Sequence, residues 1–254
     1  MKAAVPLHPA ALVEEGKRVL QVKEQLSPDN IKAFSLFSEA ALGGNAEAQY
    51  LIWKCYLRGY GVPCDDERGM GWLRKSADQG FAKALLLLGC VHHYGRGVPP
   101  DEGQAIECYA KAAEGGSLDA CACLSQIYKD RKDPTNQLRW NKEAALRGCF
   151  DSLWAVVKSY EFSEGVTIDL VEAHAWLSLY EDDFTRSTLS KELWAFQLFP
   201  EVSTFKTSTR TLGGLMSPTQ LNEATERYRG YKDQRAKWLK LNAAQNSPIA
   251  SSTR

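Results

Sequence analysis

Residues 82–116 read AKALLLLGCVHHYGRGVPPDEGQAIECYAKAAEGG, and the fold follows from this stretch. Its first half is apolar through Ala84, Leu85, Leu87, Leu88 and Val91 and runs on to Tyr94, the pattern of a helix with little polar surface. Gly95-Arg96-Gly97 stops that helix, because glycine takes the left-handed geometry of a helix end without steric cost. Val98 and Pro99-Pro100 form a turn, and Pro100 holds Pro99 extended. Asp101 then reads as an N-cap, with Gln104 three residues on as its capping-box partner. A second helix carries Ala105, Ile106, Tyr109, Ala112 and Ala113 at helical spacing and ends at Gly115-Gly116. The unit is an antiparallel helix pair.

The unit recurs. Gly44, Gly80, Gly116 and Gly148 are spaced 36, 36 and 32 residues apart, and Asp29, Asp65, Asp101, Asp133 and Asp169 are spaced 36, 36, 32 and 36. Two markers sharing one period and one four-residue deletion define a stacked-repeat architecture, an all-α protein whose hairpins bury their apolar faces on one another. The preceding copy keeps Gly59-Tyr60-Gly61-Val62 but has Trp53 where the next has Gly89. The third loses the Gly-x-Gly turn and runs YKDRKDPTNQLRW, and the fourth keeps only Glu164-Gly165-Val166 of it. Before these lies a half copy, DNIKAFSLFSEAALGG, preceded by a capping helix expected from about Pro9 to Gln25. Trp72, Trp140 and Trp176 share one repeat position and are expected to fill space between helix pairs, each stabilising by roughly 2–3 kcal/mol before costs.

These residues resemble the Sel-1-like repeats, a branch of the tetratricopeptide superfamily. The resemblance is carried by Ala84, Leu88, Gly89, Gly95, Gly97, Val98, Asp101, Ala105, Tyr109, Lys111, Ala112, Ala113 and Gly116. His92 departs from the usual tyrosine, which Tyr56, Tyr128 and Tyr160 supply elsewhere. The segment MSPTQLNEATERYRGYK from Met216 also resembles the closing helix of bacterial members. The resemblance implies an α/α superhelix, a solenoid whose first helices line a concave surface, acting as an adaptor for protein partners. It suggests a division into an N-terminal cap (1–28), the repeats (29–182) and a C-terminal region (183–254). A secreted branch of the family is disulfide-linked within each repeat and is associated with binding or hydrolysing β-lactams. It places a cysteine at the position of Ala113 with its partner at Cys121, so that bridge cannot form here.

Composition narrows the function further. Thirty-one basic residues balance thirty-one acidic ones, which offers no electrostatic basis for binding nucleic acid or a membrane surface. The basic C-terminal stretch from Arg227 to Lys240 is interleaved with Glu223, Glu226 and Asp233 and reads as a solvated helix face. No segment approaches the roughly eighteen apolar residues of a membrane span. Glu14-Glu15 interrupt any signal-like apolar core near the N-terminus. The expected location is cytoplasmic, or periplasmic should an export signal precede this sequence. The seven cysteines form no C-x-x-C pair and read as reduced, packed side chains. Cys121 and Cys123 diverge by about 200° around a helix, so they do not clasp a metal. His92 and His93 are adjacent, with rings about 100° apart. His8, His174, Ser125 and Ser217 sit in no catalytic motif. No catalytic residue, cofactor or metal is expected.

The face of each first helix left over after stacking, at i, i+4 and i+8, should line the groove. It reads Tyr50, Lys54 and Arg58; Leu86, Cys90 and Tyr94; Ala122, Gln126 and Asp130; Trp154, Lys158 and Phe162. Rings for area and cations for carboxylates suit a peptide or partner loop. Leu86 and Ala122 could instead belong to the core between repeats. The function expected is a protein–protein scaffold. The rivals are a binder of β-lactam or peptidoglycan fragments and an envelope assembly scaffold. From Phe184 the repeat is lost. A helix through Leu189 and Leu198, a Ser/Thr-rich loop over 201–216 and a disordered tail from Asn246 are expected. Between loop and tail a last helix should start at Ser217-Pro218 and bury Leu221, Ala224, Tyr228, Tyr231, Trp238 and Leu241.

Overall fold

The structure is a computed structural model and describes residues 8–20, 25–161, 167, 169–186 and 213–246. The elements bounded among them are α-helices: α1 (Pro9–Val19), α2 (Pro28–Leu42), α3 (Ala46–Arg58), α4 (Asp66–Asp78), α5 (Ala82–Tyr94), α6 (Glu102–Glu114), α7 (Leu118–Asp130), α8 (Pro134–Leu146), α9 (Phe150–Glu161), α10 (Leu170–Arg186) and α11 (Pro218–Asn246). The chain divides into two compact units, Met1–Ala120 and Cys121–Arg254.

Both rulers have a backbone cause. Gly44, Gly80, Gly116 and Gly148 all have φ between 81° and 99°, the left-handed turn that ends each second helix and that a β-carbon disfavours. Asp65, Asp101 and Asp133 are N-caps whose carboxylates accept from the backbone N–H three residues on, and Asp169 accepts from the N–H groups of Val171 and Glu172. Asp29 differs. It lies inside the first turn of α2, and Ser27 caps that helix ahead of Pro28. In the third copy, where Gly-x-Gly is missing, Lys132 takes the left-handed conformation at φ 55°. The shortened link between α7 and α8 therefore retains a left-handed turn without a glycine.

In the first unit α1 pairs with α2, α3 with α4 and α5 with α6. α1 stops at Val19, short of the expected Gln25, where Leu20 turns to an extended conformation. It packs on α2 as α3 and α5 pack on their partners. Gly16 lies directly under the Phe37 ring, and a β-carbon at Gly89 would lie 2.6 Å from two ring atoms of Tyr109. Phe37, Leu73 and Tyr109 are spaced by 36 residues. Where the second helix offers a ring, the first offers glycine. In the α3–α4 hairpin the sizes are exchanged: Trp53 faces Gly69, at 3.5 Å from a β-carbon built there, and the ring position holds Leu73. Constant packing volume explains the exchange. Buried Ser76 and Gln49 tie α3 to α4 and, through Ala41, to the hairpin before it. Ser76 donates to the Ala46 carbonyl (2.6 Å), and Gln49 donates to the Ala41 carbonyl and accepts from Gln79 (2.7 Å). Gly61, at φ 70°, sits against the backbone of Asn30 with its N–H on the Gln25 carbonyl, leaving no room for a side chain.

The core of the second unit gathers Leu138, Leu153, Val156, Val157, Trp176 and Leu177. Trp140 and Trp176 are buried, whereas Trp72 in the first unit is half-buried with the Lys75 ammonium 4.3 Å from its ring. The last helix begins as expected. Ser217 and Gln220 exchange backbone-to-side-chain hydrogen bonds, a complete capping box. α11 packs on α10 and α8 through Ala224, Tyr228 and Tyr231, but Leu241 is 65% exposed, contrary to its expected burial. Trp238, one turn before it, is half-buried. The helix expected through 189–198, the Ser/Thr-rich stretch up to residue 212 and the tail from 247 lie outside the described residues.

Candidate functional site

The expected groove residues fall on the first helices of each unit. On α3, Lys54 and Arg58 are exposed, while Tyr50 is half-buried. The Tyr50 ring centroid lies 5.6 Å from Trp53 and 5.5 Å from Phe81, the residue that opens α5, and burial pushes its phenol above the ordinary range. Tyr50 thus belongs partly to the packing between hairpins. On α5, Leu86 and Cys90 are partly buried, and the Cys90 sulfur accepts from the Tyr109 hydroxyl at 3.4 Å. Tyr94 is 65% exposed. Its ring meets His93 edge-on at 4.6 Å and has the Arg96 guanidinium 5.9 Å from its centroid. Arg96 was not among the expected site residues, although its place between Gly95 and Gly97, just past a helix end, already put it beside Tyr94.

In the second unit, Gln126 is exposed and its amide donates to Asp130 at 2.8 Å. Ala122, a candidate for the core, is exposed. Trp154 is partly buried, with the Lys158 ammonium 5.2 Å from its ring centroid. Phe162 lies outside the described residues.

A second polar constellation was not anticipated from the sequence. The Glu172 carboxylate on α10, only 13% exposed, accepts from Trp176 Nε1 (2.8 Å), from the Tyr231 hydroxyl (2.8 Å) and from Arg227 (2.7 Å), with Lys142 of α8 at 3.8 Å. Tyr231 stacks on Trp176 at 4.3 Å. Burial, then the bond to Glu172, raises the Tyr231 phenol well above its ordinary range. Nearly three turns further along α10, Asp182 accepts from Tyr228 (2.9 Å) and pairs with Lys232 (2.8 Å). These contacts fasten α11. The only sequence signal was the Tyr228–Tyr231 and Arg227–Lys232 pattern, which reads equally well as a solvated face.

All seven cysteines are free thiols, Ala113 is fully buried, and Cys121 accepts instead from Arg147 at 3.6 Å. Among the described residues no group of three or more His, Cys, Asp or Glu side chains could hold a metal ion, and no helix is long and apolar enough to cross a membrane.

The model of the Sel1 repeat matches residues 23–45, 46–81, 82–117 and 154–179. It passes over the third copy, where the Gly-x-Gly turn is lost. No curated protein matches the chain. Among solved structures, a Sel1 repeat protein from Oxalobacter formigenes is 23% identical, with a TM-score of 0.60 over 93% of this chain and 91% of that one. A protective antigen of uropathogenic Escherichia coli strains, displaying an SLR fold, is 20% identical, with a TM-score of 0.53 over 97% of this chain and 57% of that one. At these identities the likeness concerns the fold. The matched repeats, in a fold of paired antiparallel helices, place the chain among the Sel1 repeat proteins.

Proposed function

We propose that this chain is a non-catalytic scaffold that holds a peptide or a loop of a protein partner against the first-helix faces of its units. The observation that carries the reading is an exposed ring, two exposed cations and an exposed amide on the first helices: Tyr94, Lys54, Arg58 and Gln126. The second helices α8 and α10 are engaged by α11. An exposed tyrosine with flanking cations offers contact area and charge recognition at small entropic cost. The sites would be Tyr50, Lys54, Arg58, Cys90 and Tyr94 in the first unit, and Gln126, Trp154 and Lys158 in the second. Alanine at position 113 opposite Cys121 supports a protein that works without disulfides, hence in a reducing compartment such as the cytoplasm. It also sets the chain apart from the disulfide-linked, β-lactam-associated branch.

The test is site-specific photocross-linking. A photoreactive phenylalanine analogue is placed at Tyr94, at Gln126 and, as a control, at exposed Glu107 on a second helix, and the variants are expressed in the native host. Adducts to a discrete protein from positions 94 and 126, but not 107, support the reading. Adducts only from 107, or none from either first helix, overturn it.

A further inference from the structure

The charges on the first helices of the first unit are unevenly spent. α1, α3 and α5 carry three carboxylates, Glu14, Glu15 and Glu47, and all are taken: Lys17 bridges Glu14 (2.8 Å) and Glu47 (2.7 Å), and Arg18 pairs with Glu15 (2.8 Å). α5 carries no acidic residue. Lys54 and Arg58 are exposed and make no ion pair among the described residues. Arg58, in the last turn of α3, suits the negative end of the helix dipole, but Lys54, a full turn earlier, gains little from it. One hairpin later, the position of Arg58 holds Tyr94, 65% exposed, and Leu57 beside Arg58 is 42% exposed. In a chain with no formal net charge, this is a local cationic edge with apolar area next to it.

From this we infer that the partner segment received by the α3–α5 face is acidic, with apolar residues flanking a pair of carboxylates on the same side of the strand. The inference rests on the scaffold reading above and adds the chemistry of the partner. The spacing sets the pattern. Lys54 and Arg58 lie four residues apart on α3, about 6 Å along the helix axis. In an extended peptide, residues i and i+2 are about 6.6 Å apart. A strand-like segment laid along α3 therefore presents a carboxylate to each cation at every second residue. The side chain between them points the other way, so the apolar residues that reach Tyr94 and Leu57 are those two positions before and after the acidic pair, on the same side of the strand.

The experiment measures fluorescence anisotropy of three labelled peptides against the full chain: a Glu/Leu peptide, Leu-Ser-Glu-Ser-Glu-Ser-Leu, whose Glu and Leu side chains share one face of a strand, and its Gln/Leu and Lys/Leu counterparts with Gln or Lys in place of Glu. The Glu/Leu peptide is expected to bind about tenfold more tightly than the Gln/Leu one, and to weaken as salt rises. The double variant K54E/R58E should lose that advantage and gain affinity for the Lys/Leu peptide. K111E, on the second helix α6, should change nothing, and circular dichroism checks that each variant is folded. Equal binding of the Glu/Leu and Gln/Leu peptides, or an unaltered preference in K54E/R58E, overturns the acidic assignment and leaves the face itself intact as a docking surface. If none of the three peptides binds and cross-linking at position 94 also yields no adduct, the scaffold reading falls with it.

Discussion

Replacing Gly89 with alanine tests the packing rule that organises the first unit. In an open helical position, glycine to alanine stabilises by about 1 kcal/mol through backbone entropy and propensity. At Gly89 the new β-carbon would lie 2.6 Å from Cδ1 and Cε1 of Tyr109 and 3.1 Å from Cζ, against about 3.5–4.0 Å for a relaxed carbon contact. The ring must retreat by roughly 1 Å. Tyr109 is 1% exposed and its hydroxyl is tied to Cys90, so it has nowhere open to move. Overpacking of this kind costs about 1–3 kcal/mol, and the net expectation is a loss of about 1 kcal/mol. Gly71 on α4 supplies the control, because a β-carbon there meets nothing within 4 Å, and Gly71→Ala should stabilise by up to about 1 kcal/mol. The assay is urea unfolding followed by far-UV circular dichroism, with hydrogen exchange of α5 and α6 amides to localise the effect. Adding Tyr109→Leu to Gly89→Ala imitates the α3–α4 hairpin, where Leu73 holds that position. The pair should couple favourably by at least about 1 kcal/mol. If Gly89→Ala stabilises as much as Gly71→Ala, ring-over-glycine packing does not hold these hairpins together and the reasoning fails.

Two further expectations concern the second unit and the thiols. Glu172→Gln removes the charge shared by Arg227, Tyr231 and Trp176, and should weaken the docking of α11 by about 1–2 kcal/mol. That is seen as roughly tenfold faster exchange of amides over 218–232, and exchange that speeds equally in α7 would speak for global rather than local loosening. Burial pushes the Cys55 thiol up to about 12 and Cys121 to about 11. The folded chain therefore keeps protons that unfolded thiols release near pH 8.5. The stability this contributes is complete below about pH 8.5 and declines as pH rises toward 11 and 12. Iodoacetamide at mildly alkaline pH should modify exposed Cys64 long before either, as read by mass spectrometry, and equal rates would contradict their burial.

Much of the fold was legible because it is written in local requirements. A left-handed glycine and an aspartate three residues ahead of a free N–H are demands of a few neighbouring bonds, and their recurrence at Gly80, Gly116, Asp65 and Asp101 marked every hairpin around them. The site was less legible. Periodicity placed Tyr50 and Tyr94 on equal terms, yet Phe81 closes over Tyr50 while Tyr94 stands in solvent. Nor could a helical pattern separate Leu241 from Tyr231, since only the tertiary structure sets Tyr231 against Trp176 and Glu172.

The sequence alone determined the helical-hairpin repeat, its register and the turns between helices, since caps and glycine conformations act over one turn of chain. Only the tertiary structure decided which rings are buried, that Trp53 and Gly89 exchange sizes with Gly69 and Tyr109, and that Glu172 gathers Arg227 and Tyr231 from more than fifty residues away. Those outcomes depend on volumes and charges meeting across helices, and one-dimensional spacing does not encode such meetings.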